Sequence, residues 1–189
     1  AGRARAIQNV QLSSSADARK RPGTDMIGES LKIPGEDYCT VRGITYAEFA
    51  GGTARIVAVC GRRAYYLSGS DWVAISPDIG GMGASDQNAQ GVFTPALSTL
   101  IWTDDVHAPR QWNGGTSDTF TTVSFTGLTT PVTAARTSAF FQNYLLFGNT
   151  VEGGTRYPTR VRWANVGTIN TWTDADRTDV DAPAGQELN

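Results

Sequence analysis

Residues 55–75 read RIVAVCGRRAYYLSGSDWVAI, and this stretch decides the fold. Three runs rich in β-branched and aromatic residues, at 55–60, 64–68 and 71–75, alternate with two short turns that carry glycine. Such runs predict β-strands, and glycine-bearing turns of two or three residues connect neighbouring antiparallel strands. None of the runs has the 3.6-residue period of an amphipathic helix. The stretch therefore predicts a small antiparallel meander.

Two later stretches repeat this arrangement of short strands and turns. Strands are predicted at 97–103 and 119–125 in the second stretch, and at 144–148 and 159–164 in the third. Aromatic residues recur at intervals of 40 to 51 residues: Trp72 with Trp112, Phe93 with Phe140, Trp102 with Phe147, and Trp112 with Trp163. A period of about 40 to 50 residues with several short strands is typical of propeller blades.

The predicted fold is therefore all-β, with β-propeller-like blades of short antiparallel strands. Blades are expected at about 53–80, 90–126 and 138–175, within a bladed domain over 53–189. Residues 1–52 are expected to form an extended N-terminal arm and linking segment. Natural propellers have about 4 to 8 blades, so three blades predict an incomplete propeller. The alternative is a β-sandwich whose strands contain tryptophan.

The recurring aromatic residues predict how the blades pack. One blade is a small twisted sheet that cannot bury both of its faces alone, so it stacks on its neighbours. A large aromatic side chain fills the space between adjacent sheets. The residues expected to do so are Trp72, Trp102, Trp112, Phe147 and Trp163.

Arginine dominates the basic residues and indicates interfaces. The 16 basic residues include only two lysines, Lys20 and Lys32. Arginine makes planar, bidentate contacts and stacks on aromatic rings, which suits contacts between subunits. The arginines predicted to lie at such an interface are Arg19, Arg21, Arg62, Arg63, Arg160 and Arg162. Contact with a phosphate backbone and stacking on a ring within the same sheet are the alternatives for the last four.

Composition excludes some classes of protein. The net charge is −2, so no overall basic field attracts nucleic acid. No apolar run reaches the roughly 18 to 20 residues that cross a bilayer, so membrane insertion is not expected. The two cysteines, Cys39 and Cys60, match no metal motif, and two separate buried thiols are favoured over one disulfide.

No group of residues indicates catalysis, a cofactor or a metal. The single histidine, His107, follows Asp104 and Asp105, but no nucleophile elbow accompanies it, so a local hydrogen-bonding role is favoured. The acidic residues of 174–181 lack the spacing of a Ca²⁺-binding EF-hand loop, so a solvated acidic turn is favoured. The protein is therefore predicted not to be an enzyme.

Three phrases of the sequence resemble one protein family. RKRPGT at 19–24, RVRWANVG at 160–167 and TWT at 171–173 are similar to phrases in the tail nozzle or tail hub proteins of short-tailed bacteriophages, including packaged-DNA stabilisation proteins. The resemblance implies an N-terminal strand-rich region that leads into a β-propeller. It also implies six copies in a tube below the portal and adaptor, through which packaged DNA is retained and conducted. Subunits of that family are usually longer than this chain.

The resemblance therefore implies a structural protein of the virion, assembled in the cytoplasm of the bacterial host. Its implied partners are copies of itself in a ring, the adaptor and portal, other tail proteins and, through non-specific contacts, the packaged DNA. A β-propeller or β-sandwich module that binds a glycan or a receptor is the alternative, with Trp112 and Trp163 as its candidate aromatic residues. A carbohydrate-active enzyme with two facing carboxylates is a third hypothesis.

Overall fold

The computed structural model describes residues 10–12, 18–20, 41–61, 63–75, 90–116 and 119–179. The described part of the chain consists of β-strands joined by turns and loops, with no α-helix. Strand β1 (Val10–Leu12) pairs with β2 (Ala18–Lys20) in a small antiparallel sheet. The remaining strands form three four-stranded antiparallel sheets, which we call blades 1, 2 and 3.

Each blade is a meander in which consecutive strands are neighbours. Blade 1 consists of β3 (Val41–Glu48), β4 (Ala54–Cys60), β5 (Arg63–Ser68) and β6 (Asp71–Ile75), with a short 3-10 turn at Ala50–Gly52. Blade 2 consists of β7 (Val92–Ala96), β8 (Thr99–Thr103), β9 (Arg110–Trp112) and β10 (Thr121–Thr122). Blade 3 consists of β11 (Val132–Phe141), β12 (Tyr144–Glu152), β13 (Thr155–Ala164) and β14 (Trp172–Asp179).

The blades stack in chain order through their first strands. Strand β3 contacts β7, and β11 contacts both β7 and β8. The first strand of each blade is thus the inner strand, as in a propeller, and the later strands lie progressively further out. The prediction of an all-β fold with propeller-like blades is confirmed, and the three described blades do not close a ring.

Several boundaries differ from those expected. The first blade begins at Val41, inside the segment 1–52 that was assigned to the arm, because β3 pairs with β4 along its length. The expected strand at 97–103 is interrupted by a turn at residues 97–98, and the expected strand at 119–125 is reduced to β10. Residues 174–179 lie in β14, so the expected acidic turn is wrong for that part, and Asp181 lies outside the described residues.

Two hydrophobic clusters hold the stack together. The first lies between blades 1 and 2 and includes Ala47, Phe49, Val57, Val59, Ala64, Tyr66 and Ile75 from the blade 1 side, with Leu100, Trp102, Trp112 and Phe120 from the blade 2 side. The second lies between blades 2 and 3 and includes Ala96, Ile101 and Val123 from the blade 2 side, with Val132, Ala135, Leu145, Phe147, Ala164 and Trp172 from the blade 3 side. Apolar burial between blades is the main stabilising contribution to such a stack.

Candidate inter-blade interface

Blades 2 and 3 can be compared residue by residue through their first hairpins. The two-residue turns Leu97-Ser98 and Gln142-Asn143 both have positive φ at both positions. When the two turns are aligned, each residue of β8 corresponds to the residue of β12 that lies 45 positions later in the sequence. Trp102 therefore corresponds to Phe147. The strand pairing extends this correspondence to the third strand of each blade. Gln111 lies opposite Ile101 in blade 2, and Trp163 lies opposite the corresponding Leu146 in blade 3. Gln111 therefore corresponds to Trp163.

Trp102 and Trp112 fill the junction between blades 1 and 2, as predicted. Both side chains are buried in the first cluster. The Trp112 ring meets Phe49 edge-on with centroids 5.1 Å apart and stacks on Phe120 at 5.9 Å. Such pairs add about 0.5–1.5 kcal/mol beyond the burial of area. The aromatic residues therefore hold blade 1 against blade 2.

The ring of Trp102 lies against two glycines. A Cβ atom built on Gly91 would lie 2.0 Å from the Trp102 ring, and one built on Gly43 would lie 2.8 Å from it. Gly43 is in the inner strand of blade 1, whereas Gly91 immediately precedes the inner strand of blade 2. The missing side chains therefore provide the space that the indole occupies between the two blades.

Phe147 and Trp172 fill the junction between blades 2 and 3. Their rings stack with centroids 5.3 Å apart and an interplanar angle of 13°. The indole N–H of Trp172 donates to the carbonyl of Ser124 at 3.2 Å, so the tryptophan also binds the segment that follows blade 2. The inter-blade role predicted for Phe147 is thus observed, whereas Trp172 was missed because no aromatic residue precedes it by 45 positions.

A buried ion pair joins blade 1 to blade 2. The Arg42 guanidinium donates to Asp104 Oδ2 at 2.8 Å and lies 5.6 Å from the Trp102 ring centroid. The carboxylate of Asp104 also accepts the backbone N–H of His107 at 2.8 Å and contacts His107 Nδ1 at 2.9 Å. Burial raises the pKa of Asp104, but the hydrogen bonds from His107 and Arg42 outweigh it and hold that pKa below its ordinary value. His107 therefore has the local hydrogen-bonding role that was favoured.

Polar contacts join blade 2 to blade 3. Thr94 Oγ1 donates to the Ser138 carbonyl at 3.0 Å between the two inner strands. Arg156 Nη1 donates to Asp105 Oδ1 at 2.6 Å, and the backbone N–H of Asp105 donates to the carbonyl of Ala135 at 3.0 Å. Each junction is therefore bonded at its inner strands as well as packed by aromatic residues.

Arg160 and Arg162 lie inside blade 3. Arg162 Nη2 donates to Glu152 Oε2 at 2.7 Å, and Arg160 donates through Nε to Asp179 Oδ1 at 2.7 Å. The Arg160 guanidinium also stacks 3.5 Å from the centroid of the Tyr157 ring. Both arginines are buried. Their predicted place at an interface to another subunit is therefore wrong, because both are buried and carboxylates and a ring of their own blade occupy them.

The Glu152 carboxyl is held ionised by this cluster. Burial raises its pKa, but hydrogen bonds from Arg162 and from Thr150, together with the positive charges of Arg162 and Arg160, lower the pKa below its ordinary value. The pKa of Asp179 is also lowered, chiefly by its hydrogen bond with Arg160. The cluster is thus a satisfied ion-pair network.

The other predicted interface residues are distributed over the chain. Arg63 opens β5, opposite Cys60, and Arg19 lies in β2. Arg21 and Arg62 lie outside the described residues. Trp72 lies opposite Leu67 on the outer strand of blade 1 and belongs to neither hydrophobic cluster, so the structure does not place it between blades.

Blade 3 exposes an apolar surface, which we call the open face. It is formed by Phe141, Tyr144, Leu146 and Trp163. These four side chains line a shallow groove of about 260 Å³. Trp163 lies here and not between blades, so its predicted inter-blade role is wrong within the chain. The proposed equivalence of Trp163 with Trp112 was one residue out of register, which moves a side chain to the other face of a sheet. The residue that corresponds to Trp112 is Ala164.

A polar cleft of about 410 Å³ lies between blades 2 and 3. Its described lining carries no charged side chain and consists of Thr99, Gln111, Trp112, Asn113, Thr119, Thr121, Ile169 and Asn170. Gln111 Oε1 and Trp112 Nε1 are buried without a hydrogen-bond partner. Hydroxyl, amide and indole groups in this arrangement can exchange hydrogen bonds with a neutral polar ligand or with water.

Other chemistry in the described residues is limited. No group of three or more His, Cys, Asp or Glu side chains in that part of the chain is arranged to hold a metal ion. Cys60 is buried and disulfide-bonded, so its interpretation as a separate thiol is wrong. Cys39, the only other cysteine of the sequence, lies outside the described residues.

The described residues contain no helix with the length and apolarity needed to span a bilayer. Comparisons of the chain with protein-family models and with curated proteins gave no match.

Proposed function

We propose that this protein is a structural subunit that joins copies of itself into a ring, as in the tail nozzle or hub of a short-tailed bacteriophage. The observation that carries the proposal is the open face of blade 3, whose counterpart on blade 2 is covered by the next blade. The described stack thus ends on a surface of the kind that another sheet covers. The short phrases that resemble the phage family support the same proposal.

The junctions within the chain also suit a scaffold. Each one combines buried aromatic residues with hydrogen bonds, and the first includes the buried pair of Arg42 and Asp104. Contacts of this kind resist movement of one blade against the next, as a subunit that bears load requires. A net charge of −2 further suits a channel for DNA, because a wall that does not attract phosphate lets the strand slide.

The mass of the purified protein tests this proposal. Mass photometry and class-averaged electron micrographs are expected to show a closed ring of copies, six in number if the phage resemblance holds. A particle that stays at the 20.2 kDa mass of one chain at micromolar concentration contradicts the proposal. A ring whose channel is lined by arginine would contradict the role in conducting DNA.

The polar cleft favours a second candidate function, the binding of a neutral glycan. Its uncharged lining and the unpartnered Gln111 Oε1 match the hydroxyl groups of a sugar. Trp112 is buried, however, so it contributes at most its indole N–H and cannot stack on a sugar ring as the exposed platform that was expected.

Calorimetric titration with a panel of neutral disaccharides tests this second candidate. The wild type is expected to bind one member of the panel, and Asn170→Ala is expected to weaken that binding at least tenfold. Thr133→Ala, an exposed residue remote from the cleft lining, serves as the control. Absence of heat with every sugar would leave the cleft as a site for ordered water only.

A further inference from the structure

We propose that the open face of blade 3 binds the inner strand of blade 1 of a second copy, so that two chains build one six-bladed propeller. The inference deepens the proposed function, and rests on it, because it names the surfaces through which copies join. Its occupant is a second copy of this chain, and the two contacting elements are β11 and β12 of one copy and β3 of the other.

The register of blade 3 shows that the open face is a blade junction without its next blade. Three residues of the open face, Phe141, Tyr144 and Leu146, follow Ala96, Thr99 and Ile101 of blade 2 by 45 positions, and Trp163 corresponds to Gln111.

All four of these blade 2 residues face blade 3. Ala96 and Ile101 are buried in the cluster shared with blade 3, while Thr99 and Gln111 line the cleft that Ile169 and Asn170 of the blade 3 side close. The same positions in blade 3 therefore point to where a fourth blade stacks.

The composition of the open face indicates that its cover is apolar. Phe141 is 64% exposed, although in blade 2 the corresponding side chain is almost completely buried. Two adjacent aromatic residues at the end of a hairpin, next to a leucine and a tryptophan, form the kind of contiguous apolar patch that marks an interaction surface. The groove is lined by three aromatic side chains and a leucine, so its apolar lining does not match a charged ligand or a sugar.

Blade 1 supplies the complementary surface at the other end of the stack. Ile44 is 62% exposed and Tyr46 is 58% exposed, both on the inner strand β3. Ile44 lies opposite Ala58 on strand β4. The neighbours of Ala58, Val57 and Val59, pack in the first cluster against blade 2, so the face of blade 1 that carries Ala58 and Ile44 is turned away from blade 2. Ala58 is already buried, and the available part of the face is therefore the inner strand.

The inner strand is also the element that the existing junctions use. Blade 3 reaches blade 2 by placing β11 on β7 and β8. By the same arrangement, β3 of a second copy would lie on β11 and β12, which places Ile44 and Tyr46 over the open face. One chain thus carries both halves of a blade junction, one at each end of its described stack.

The number of blades selects two copies. Natural propellers close with about 4 to 8 blades, so the three described blades of one copy are too few, and the described blades of three copies exceed the range. Two copies supply six blades and form two identical junctions related by a two-fold axis. The junction is head-to-tail and the propeller closes after two subunits, so a ring of six copies would consist of three such pairs joined through other surfaces.

Three variants at exposed sites test the proposal. Phe141→Glu changes the open face, Ile44→Glu changes the inner strand of blade 1, and Leu97→Glu changes a control site that is 42% exposed and lies in the hairpin turn of blade 2, on neither surface. Circular dichroism and thermal unfolding establish that each variant is folded. Light scattering after gel filtration measures the mass from 1 to 100 μM, a range of about two decades that covers ordinary dimer affinities.

The wild type and Leu97→Glu are expected at about 40 kDa, twice the mass of one chain, or in multiples of that mass. Phe141→Glu and Ile44→Glu are each expected to weaken association at least a hundredfold and to elute as monomers at 10 μM. An equimolar mixture of the two variants is expected to recover a dimer, because it retains one junction with both wild-type surfaces.

The other outcomes separate this inference from the proposed function. A wild type that is monomeric at 100 μM overturns both. A wild-type ring whose mass is unchanged by both Phe141→Glu and Ile44→Glu supports the proposed function and overturns the inference. Loss of association in Phe141→Glu alone, with Ile44→Glu unaffected, also overturns it, because the open face would then bind a different surface of the partner.

Discussion

Trp102 and Phe147 occupy the same position in successive blades, each facing an arginine on the third strand of its own sheet. Trp102 lies opposite Arg110, and Phe147 lies opposite Arg162. Both aromatic side chains are buried against the preceding blade. The repeat is therefore a repeat of packing roles, with an aromatic residue that meets the preceding blade and an arginine opposite it on the neighbouring strand.

Equivalent leucines beside these aromatic residues should contribute equally to stability. Leu100→Ala and Leu145→Ala each remove a completely buried side chain, and each is expected to lower the free energy of unfolding by about 2–5 kcal/mol. Urea denaturation followed by tryptophan fluorescence measures the loss. Leu97→Ala is the matched control, because Leu97 is exposed and is expected to change stability by less than about 1 kcal/mol. Similar losses at all three sites would contradict the assignment of the clusters.

Two adjacent aspartates should differ sharply in their contribution. Asp104→Asn removes the negative charge from the buried ion pair with Arg42 and is expected to cost about 3 kcal/mol or more. Asp105→Asn breaks an exposed pair with Arg156 and is expected to cost at most about 1 kcal/mol. Denaturant titration of both variants at pH 7 measures the difference. Equal effects would show that Arg42 finds another partner when Asp104 is changed.

Acid should weaken the fold through Asp104 and Glu152. Both carboxyl groups have a lower pKa in the folded protein than in the unfolded chain, so the unfolded chain binds more protons in acid. Stability is therefore expected to be flat above about pH 5 and to fall as the pH drops below about 4, near the unfolded-state values. Thermal unfolding between pH 3 and 7 measures this dependence.

Glu152→Gln is expected to flatten that acid dependence, because it removes one of the carboxyl groups. Asp71→Asn, at an exposed site on the outer strand of blade 1, is expected to retain the wild-type slope. An unchanged slope in Glu152→Gln would show that the cluster around Arg162 does not contribute to the loss of stability in acid.

The hairpin turn of blade 2 can be stabilised. Ser98 has a φ of 61°, a left-handed conformation that glycine adopts without steric cost. Ser98→Gly is expected to raise the free energy of unfolding by roughly 0.5–1 kcal/mol, and Ser68→Gly, in strand β5, is expected to lower it by a similar amount. Thermal melts of the two variants give opposite shifts if the turn is assigned correctly.

The disulfide bond of Cys60 can be tested by counting free thiols. A thiol reagent in denaturant is expected to find no free thiol before reduction and two per chain after it, because the sequence has two cysteines. One or two reactive thiols before reduction would restore the interpretation of separate cysteines. Gel electrophoresis without reductant then shows whether the bond lies within one chain or between copies.

Much of the fold could be predicted from short-range patterns. The strands at 55–60, 64–68 and 71–75 are each bounded by glycine-bearing turns, and the structure places blade 1 strands there. The turn Leu97-Ser98 was missed, because neither residue is typical of a two-residue hairpin turn. Its conformation follows from pairing between β7 and β8, a tertiary effect that a local pattern does not contain.

The interface was harder to predict, because side-chain register and charge pairing are not visible in spacing alone. Trp112 and Trp163 look alike in the sequence, but they lie one register position apart and therefore on opposite faces of their sheets. In the sequence, Arg162 looks like an interface arginine, but in the structure it pairs with Glu152 of the neighbouring strand. Only the pairing of strands reveals such contacts.

The indole of Trp102 lies between blades 1 and 2, so its thickness contributes to the wedge-like angle between these two sheets. Because Gly43 and Gly91 lack side chains, the indole fits where the inner strands β3 and β7 meet. A methyl group at either glycine would force the wedge open. Since the number of blades that close a ring depends on that angle, two residues that lack side chains would help to set the size of the ring that we propose.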